Sequence, residues 1–435
     1  MENPSQPDTP ETFAQKARPL LVLVAGAVVA GIVVGVFSLL SDKAQDISAL
    51  FFSQYVLAPL LVTPAIFALA MWLMLRYCPA AFGSGVPQTM AAQQLVDKDH
   101  RRYLLGAHVV IGKVLLVTLV LLGGASLGRE GPAVQIAAGI MLLFASGLHE
   151  RHQQIAIAGG AAAGVAAAFN APIAALAFLM EEMTRGTAIR DRLPMMAVVL
   201  ITAAAAMLVT GQYNYFGTVK TDLALLAHIP ALAGIGVICG LLGGLFNILV
   251  TRGKKYLLGL RGGFCRRRPV LFAALCGLIV AVIGIASGGM SFGSGHIIGQ
   301  QLLQGEVAPQ IWHPFAKMAA TLVSIIGGIP GGTIAPSLSI GATVGGALSA
   351  FLTDIPAETV ILLAIAGYFA AFTQAPLTAA IIALEVTGYG SGFLPLLAVA
   401  LVSAGISRLI FPFSIFHLLA ADIAAEMKNK HKPEE

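Results

Sequence analysis

Charge is what this 435-residue chain has least of. Asp, Glu, Lys and Arg make up 11% of it and hydrophobic residues 57%, where a soluble domain carries about 25% charged residues. Of its 26 basic and 21 acidic residues, five lie in 1–18 and seven in 422–435. The remainder could not cover the surface of a soluble body of this size. Mean hydropathy is +0.85, so lipid is the solvent and the chain is an all-α polytopic membrane protein. Cysteine is scarce as well. Cys78, Cys239, Cys265 and Cys276 form no CxxC pair and no zinc-ligand spacing, which points away from a disulfide framework and from a metal site. No HExxH or paired intramembrane Asp is present and the ionisable residues are few and far apart, so an intramembrane enzyme has no support and no cofactor is expected. The net charge of +5 and a pI near 9.0 resemble a nucleic-acid signal. The basic residues, however, sit in short loops between apolar runs, where they set orientation, and no nucleic-acid partner is expected.

What is present is apolar sequence in lengths that fit a bilayer. About 20 helical residues cross a hydrocarbon core of ~30 Å. Segments 20–41, 55–75, 103–124, 193–213, 229–250, 269–289 and 394–411 read as simple spans. The first has 22 residues without a charge, longer than a signal-peptide core, so no cleavable leader is expected. Segments 128–148, 154–182, 318–353 and 359–387 are apolar but interrupted by Gly, Pro and single charges. Irregular backbone at membrane depth survives only where protein buries it or where it lines a wet cavity, so these interruptions point at a polar site inside the bundle. The linker 252–268, with seven Lys/Arg and no acid, marks the cytoplasmic side, as do Lys16, Arg18, the 98–102 loop, Lys428, Lys430 and Lys432. Segments 42–54, 212–226 and 389–393 are poor in Lys/Arg and fit the other side. The expectation is a multi-pass protein of the inner (plasma) membrane with both termini cytoplasmic.

The chain is also duplicated. AAFNAP at 167–172 recurs as AAFTQAP at 370–376, each followed nine residues after its proline by a glutamate, Glu181 and Glu385. Pro172 and Pro376 lie 204 apart, as do Pro132 and Pro336, and Lys113 and Lys317. GSG at 83–85 and 293–295 is offset by 210. Two homologous stretches, roughly 55–215 and 230–411, follow from the shared offset. The organisation expected is a tail (1–19), a first transmembrane half (20–215), a second (216–411), and a C-terminal helix with a cytoplasmic tail (412–435).

Repeat-built transporters place their site near the midplane, where discontinuous helices meet. A half-helix N-terminus exposes unpaired N–H groups and about half a positive charge. GSGVP (83–87), GREGP (128–132) and GGTIAP (331–336) have the form of such ends: small residues admit a ligand to the backbone, and Pro is tolerated in the first turn. Several ends pointed inward make an anion site, which argues against a cation-coupled transporter.

In their order and spacing these motifs, together with AAFNAPIAALAFLMEEM at 167–183, resemble the CLC family of chloride channels and chloride/proton exchangers, in its bacterial form without C-terminal CBS domains. The resemblance covers nearly the whole chain. It implies a CLC-like inverted repeat with tilted and discontinuous helices, and a homodimer with one pathway per subunit. It implies that chloride or nitrate binds at Ser84, Gly85, Gly131, Thr333, Ile334 and Phe416, and Ser84 disfavours fluoride. Glu130 becomes the gating glutamate, a carboxylate that competes with the anion and swings out when protonated. Glu182 becomes the internal proton-transfer glutamate, with Glu181 expected at a solvated helix end. Two departures stand out: Phe416 where the family usually has a Tyr that donates to the anion, and Ile334 in place of the Phe of GxFxP. Lys113 is expected to serve mainly structure while lending positive potential, with Arg129 in support beside Glu130. Glu385 is expected to cap or pair within the bundle, and His108, His228, His296, His313 and His417 have no assigned role. The expected function is chloride/proton exchange, with a passive anion channel of the same fold as the alternative.

Overall fold

The computed structural model describes residues 13–184, 188–219, 228–259, 263–389 and 392–429. Both extreme tails, the middle of the basic linker (260–262) and parts of 212–226 and 389–393 lie outside the described residues. The first half runs through α1 (Phe13–Gln54), α2 (Pro59–Tyr77), α3 (Val86–Gln94), α4 (Lys98–Leu105), α5 (Ala107–Leu122), α6 (Glu130–Ala145), α7 (Glu150–Phe169), α8 (Pro172–Phe178) with a π-helical turn (Leu179–Met183), and α9 (Ile189–Thr210). The second continues with α10 (Ile229–Gly259), α11 (Phe264–Arg267), α12 (Pro269–Ala286), α13 (His296–Leu303), α14 (His313–Ile326), α15 (Ile334–Ser349), α16 (Ala357–Thr373), α17 (Pro376–Val386) and α18 (Phe393–Ile410), before α19 (Ile415–Asn429).

Seven helices among the described residues are long and apolar enough to cross a membrane, one at each of the seven simple spans read from sequence. Their outer faces carry bare apolar side chains, with Leu208 89% and Leu409 83% exposed, as a lipid-facing surface requires. One boundary differs. Segment 42–54, expected as an outer loop, is the continuation of α1. Neither Gly nor Pro occurs between Gly35 and Pro59 to end the helix, and Asp42 is drawn onto the buried Arg129 as an ion pair.

The interrupted segments become pairs of shorter helices. At 1.5 Å per residue the 16 residues of α6 and of α15 reach only about 24 Å, less than the hydrocarbon core. α7 stops at Asn170 and α16 at Gln374, both left-handed, with φ 57° and 62°; the prolines two residues later begin α8 and α17. The side-chain amides hold these breaks in place: Asn170 donates to the Tyr213 carbonyl at 2.9 Å and Gln374 to the Phe411 carbonyl at 2.6 Å. Asn170 and Gln374 are themselves 204 residues apart.

Packing repeats in the same register. α6 lies on α7 and α15 on α16, while α2 of one half packs on α12 of the other and α8 on α17. The α6–α7 contact is backbone-close: a Cβ on Gly164 would sit 2.6 Å from Val134 Cα, so only glycine permits the approach. Contacts between the halves are reciprocal. Glu385 accepts from the Ile173 and Ala174 amides at 3.1 and 2.6 Å, and Glu181 from the Leu377 and Thr378 amides at 3.0 and 2.7 Å. Residue i meets j′ and i′ meets j, the signature of a two-fold axis between the halves.

Candidate functional site

Three loops lead into helix N-termini at the junction of the halves. Gly128 and Gly332 exchange both backbone hydrogen bonds, N to O at 2.8 Å one way and 2.6 Å the other, and Gly331 N–H donates to the Gly83 carbonyl at 3.1 Å. The GSGVP, GREGP and GGTIAP segments are thus stitched together, with the starts of α3, α6 and α15 converging on them. The positive ends of three peptide dipoles share one locus.

Lys113 sets the polarity of the first loop. Fully buried, its ammonium donates to the carbonyls of Ala81, Phe82 and Gly83 at 2.8, 3.3 and 2.7 Å. It draws the carbonyls to one side of the loop. Lys317 repeats the arrangement on Ser291, Phe292 and Gly293 at 3.1, 3.4 and 2.8 Å. Gln88 closes the other side, donating to the Phe82 carbonyl at 2.5 Å and accepting from Gly85 N–H at 2.9 Å. That bond corrects the expectation for Gly85: its amide is turned to Gln88, and its φ of +105° makes it the hinge of the turn.

Ser84 Oγ and Thr333 Oγ1 are buried and make no hydrogen bond to the protein. Both line a cavity of about 710 Å³ together with Phe416, and it extends past Lys255, Asp422 and Glu426. Gly131 lies against Ser84, whose carbonyl would be 2.8 Å from a Cβ there. Phe416 packs edge-on against Phe372, ring centroids 5.8 Å apart, and brings no hydroxyl. Ile334 is buried at the first turn of α15; its position offers a backbone N–H whatever its side chain.

Glu130 is fully buried at the start of α6. Tyr215 Oη donates to its Oε1 at 3.1 Å, and Oε2 makes no hydrogen bond. The neighbouring Arg129 lies 4.0 Å away through Nε; its guanidinium is committed to the Asp42 carboxylate, the Ser38 carbonyl at 2.7 Å and Tyr213 Oη at 3.1 Å. Arg129 therefore ties α1 and the 213–215 segment to the GREGP loop and does not neutralise Glu130 by direct contact. Tyr215 was invisible to sequence reasoning. Its ring meets Phe169 at 5.0 Å and Phe216 at 5.1 Å edge-on, and His296 at 5.5 Å at a tilt, and nothing in YNYF indicates which ring turns inward.

Glu182 sits on the π-helical turn, buried, where an extra residue per turn aims it inward. Glu181 is not at a solvated helix end as expected: it is half-buried and caps α17. Beside Glu182 lies a second cavity of about 380 Å³, lined by Gln93, Gln94, Gln154, Arg151, Asp191 and His417 as well as Glu182 itself. His417 Nε2 is 3.3 Å from Glu182 Oε2, a contact no motif signalled. Phe416 and His417, consecutive on α19 and ~100° apart around it, face different cavities.

Residues 65–408 match the family described as voltage gated chloride channel. Among curated relatives, the H(+)/Cl(-) exchange transporter ClcA of Yersinia pseudotuberculosis serotype IB (strain PB1/+) is 29% identical over 94% of this chain and 89% of that protein; the ClcA of Yersinia pestis bv. Antiqua (strain Angola) is likewise 29% identical, with the same coverage. Among solved structures, a slow cyanobacterial Cl-/H+ antiporter superposes with a TM-score of 0.82 at 22% identity, covering 94% of this chain and 99% of that one. A CLC-type fluoride/proton antiporter superposes at 0.78 and 24% identity with the same coverage. With four-fifths of its length inside the family match, an all-α duplicated fold and the three glycine loops meeting at one point, the chain belongs to the voltage gated chloride channel family.

Proposed function

We propose that the protein is a secondary active transporter that exchanges chloride for protons, with Glu130 as the side chain both ions contend for. The observation that carries this is the fully buried Glu130 carboxylate, with Oε2 unbonded, at the point where three helix N-termini converge. Positive dipoles stabilise an anion there, whether the carboxylate or a halide. Protonation removes the charge that holds the side chain, and the site passes to the halide. Ser84, Thr333, Gly131 and the Ile334 amide form the anion's surroundings, with Gly85 shaping the turn. Glu182 carries the proton on the cytoplasmic side. The named exchange activity of the ClcA relatives supports this reading.

Ser84 at the loop tip favours chloride or nitrate over fluoride. The basic linker at 252–268 supports cytoplasmic termini in an inner membrane, and the family resemblance supports a homodimer with one pathway per subunit and halves at 20–215 and 216–411. The test is a paired flux measurement on the protein in liposomes: chloride running down its gradient drives protons the other way. A second reading, a passive anion channel, is favoured by one observation, the absent hydroxyl at Phe416 in the cavity shared with Ser84. It requires a reversal potential that follows chloride alone and ignores pH.

A further inference from the structure

Glu182 borders the polar cavity yet is shielded from bulk water. Its side chain is 0% exposed, whereas that of His417, 3.3 Å away, is 26% exposed. The cavity on which both border has room for several waters, each needing about 30 Å³, and a polar lining to hold them. The groups facing His417 are few. From α7 comes Arg151, whose guanidinium keeps its proton and is bound to Asp191 of α9 at 2.7 Å. From α3 come Gln93 and Gln94, and from α7 Gln154, none of which titrates. The π-helical turn contributes Glu182, while its other acid, Glu181, is engaged with α17. Imidazole can both give and take a proton at its ring nitrogens, and among the described lining residues His417 alone combines that chemistry with contact to Glu182.

We propose that His417 is the cytoplasmic proton port, resting on the exchange reading above. Its imidazolium gives the Nε2 proton to Glu182 Oε2; the carboxylate becomes neutral, and the neutral ring takes up the next proton arriving from the cytoplasm through the cavity water. Because Phe416 turns to the anion cavity and His417 to the polar one, the first turn of α19 keeps the two ions on separate routes.

The experiment compares the full-length protein and His417→Ala in liposomes, recording proton and chloride movement together from pH 5 to 8. The unsubstituted protein moves protons against the chloride gradient. In His417→Ala the protons moved per chloride fall about tenfold or more, the scale of a lost acid–base group, and the pH dependence flattens. Added imidazole, small enough for the cavity, restores the proton leg, which a merely structural loss would not allow. A variant with undiminished protons per chloride overturns the proposal, as does a lost proton leg that imidazole leaves unrestored. Chloride flux without protons in the unsubstituted protein defeats the exchange reading itself and the proposal with it.

Discussion

Glu181 and Glu385 each cap a helix that belongs to the opposite half of the chain. Glu181 accepts from the Leu377 and Thr378 amides and from Thr378 Oγ1 at 2.6 Å, and Glu385 from Ile173 and Ala174. These are charge-assisted bonds to the positive ends of α17 and α8. Replacing Glu181 or Glu385 by Ala leaves two helix-start amides uncapped, at a cost of about 0.5–2 kcal/mol for the lost cap. Thermal unfolding in detergent should register a lower melting temperature for either variant, and an unchanged melting temperature would refute the capping role.

Glu130→Gln keeps the shape of the side chain and removes its titration. Chloride should continue to move while proton transport driven by chloride disappears. Simultaneous pH and chloride recordings on liposomes check this, and retained proton pumping would exclude Glu130 as the exchanged carrier.

The paired lysines separate stability from binding. Lys113→Met strips the donor from three carbonyls of the loop proposed to hold the anion, and Lys317→Met does the same to a loop that carries no anion residue in the proposed site. Both variants should lose stability, by about 1–3 kcal/mol for each carbonyl left unsatisfied. Only Lys113→Met should also weaken chloride binding, measured by calorimetry. Equal weakening in both would mean that the loop's carbonyl anchoring has no special bearing on the anion.

Phe416→Tyr adds a hydroxyl at the cavity shared with Ser84 and Thr333. A new hydrogen bond of about 0.5–1.5 kcal/mol corresponds to roughly two- to tenfold tighter chloride binding. Titration calorimetry reads the change, and no gain would place the para position away from the anion.

The spans and the duplication were legible because both are one-dimensional signals. Seven apolar runs register against bilayer thickness, and the 204-residue offset links Pro132 with Pro336 and Lys113 with Lys317. The glycine motifs marked helix starts because φ requirements and Pro at the first turn are local properties. What sequence could not supply was direction. Tyr215 reaches Glu130 from 85 residues away, and His417 meets Glu182 through the packing of α19 on α3 and the lie of the π-helical turn. Glu181 was misjudged for the same reason: an acid at a helix end looks solvated until the helix it caps, almost 200 residues on, is known. The length of α1 was underestimated because a stretch poor in Lys/Arg read as an outer connection, when Asp42 is held by Arg129.

The crossed caps also bear on biogenesis. The carboxylate that completes the start of α8 is encoded 211 residues after Ala174, so at a synthesis rate of 5–20 residues per second the amides of Ile173 and Ala174 wait roughly 10–40 s for it. During that interval those amides lack the carboxylate that caps them in the finished fold. We expect translation arrested before residue 385 to leave α8 sensitive to protease, and protection to arise only once the second repeat has been threaded in.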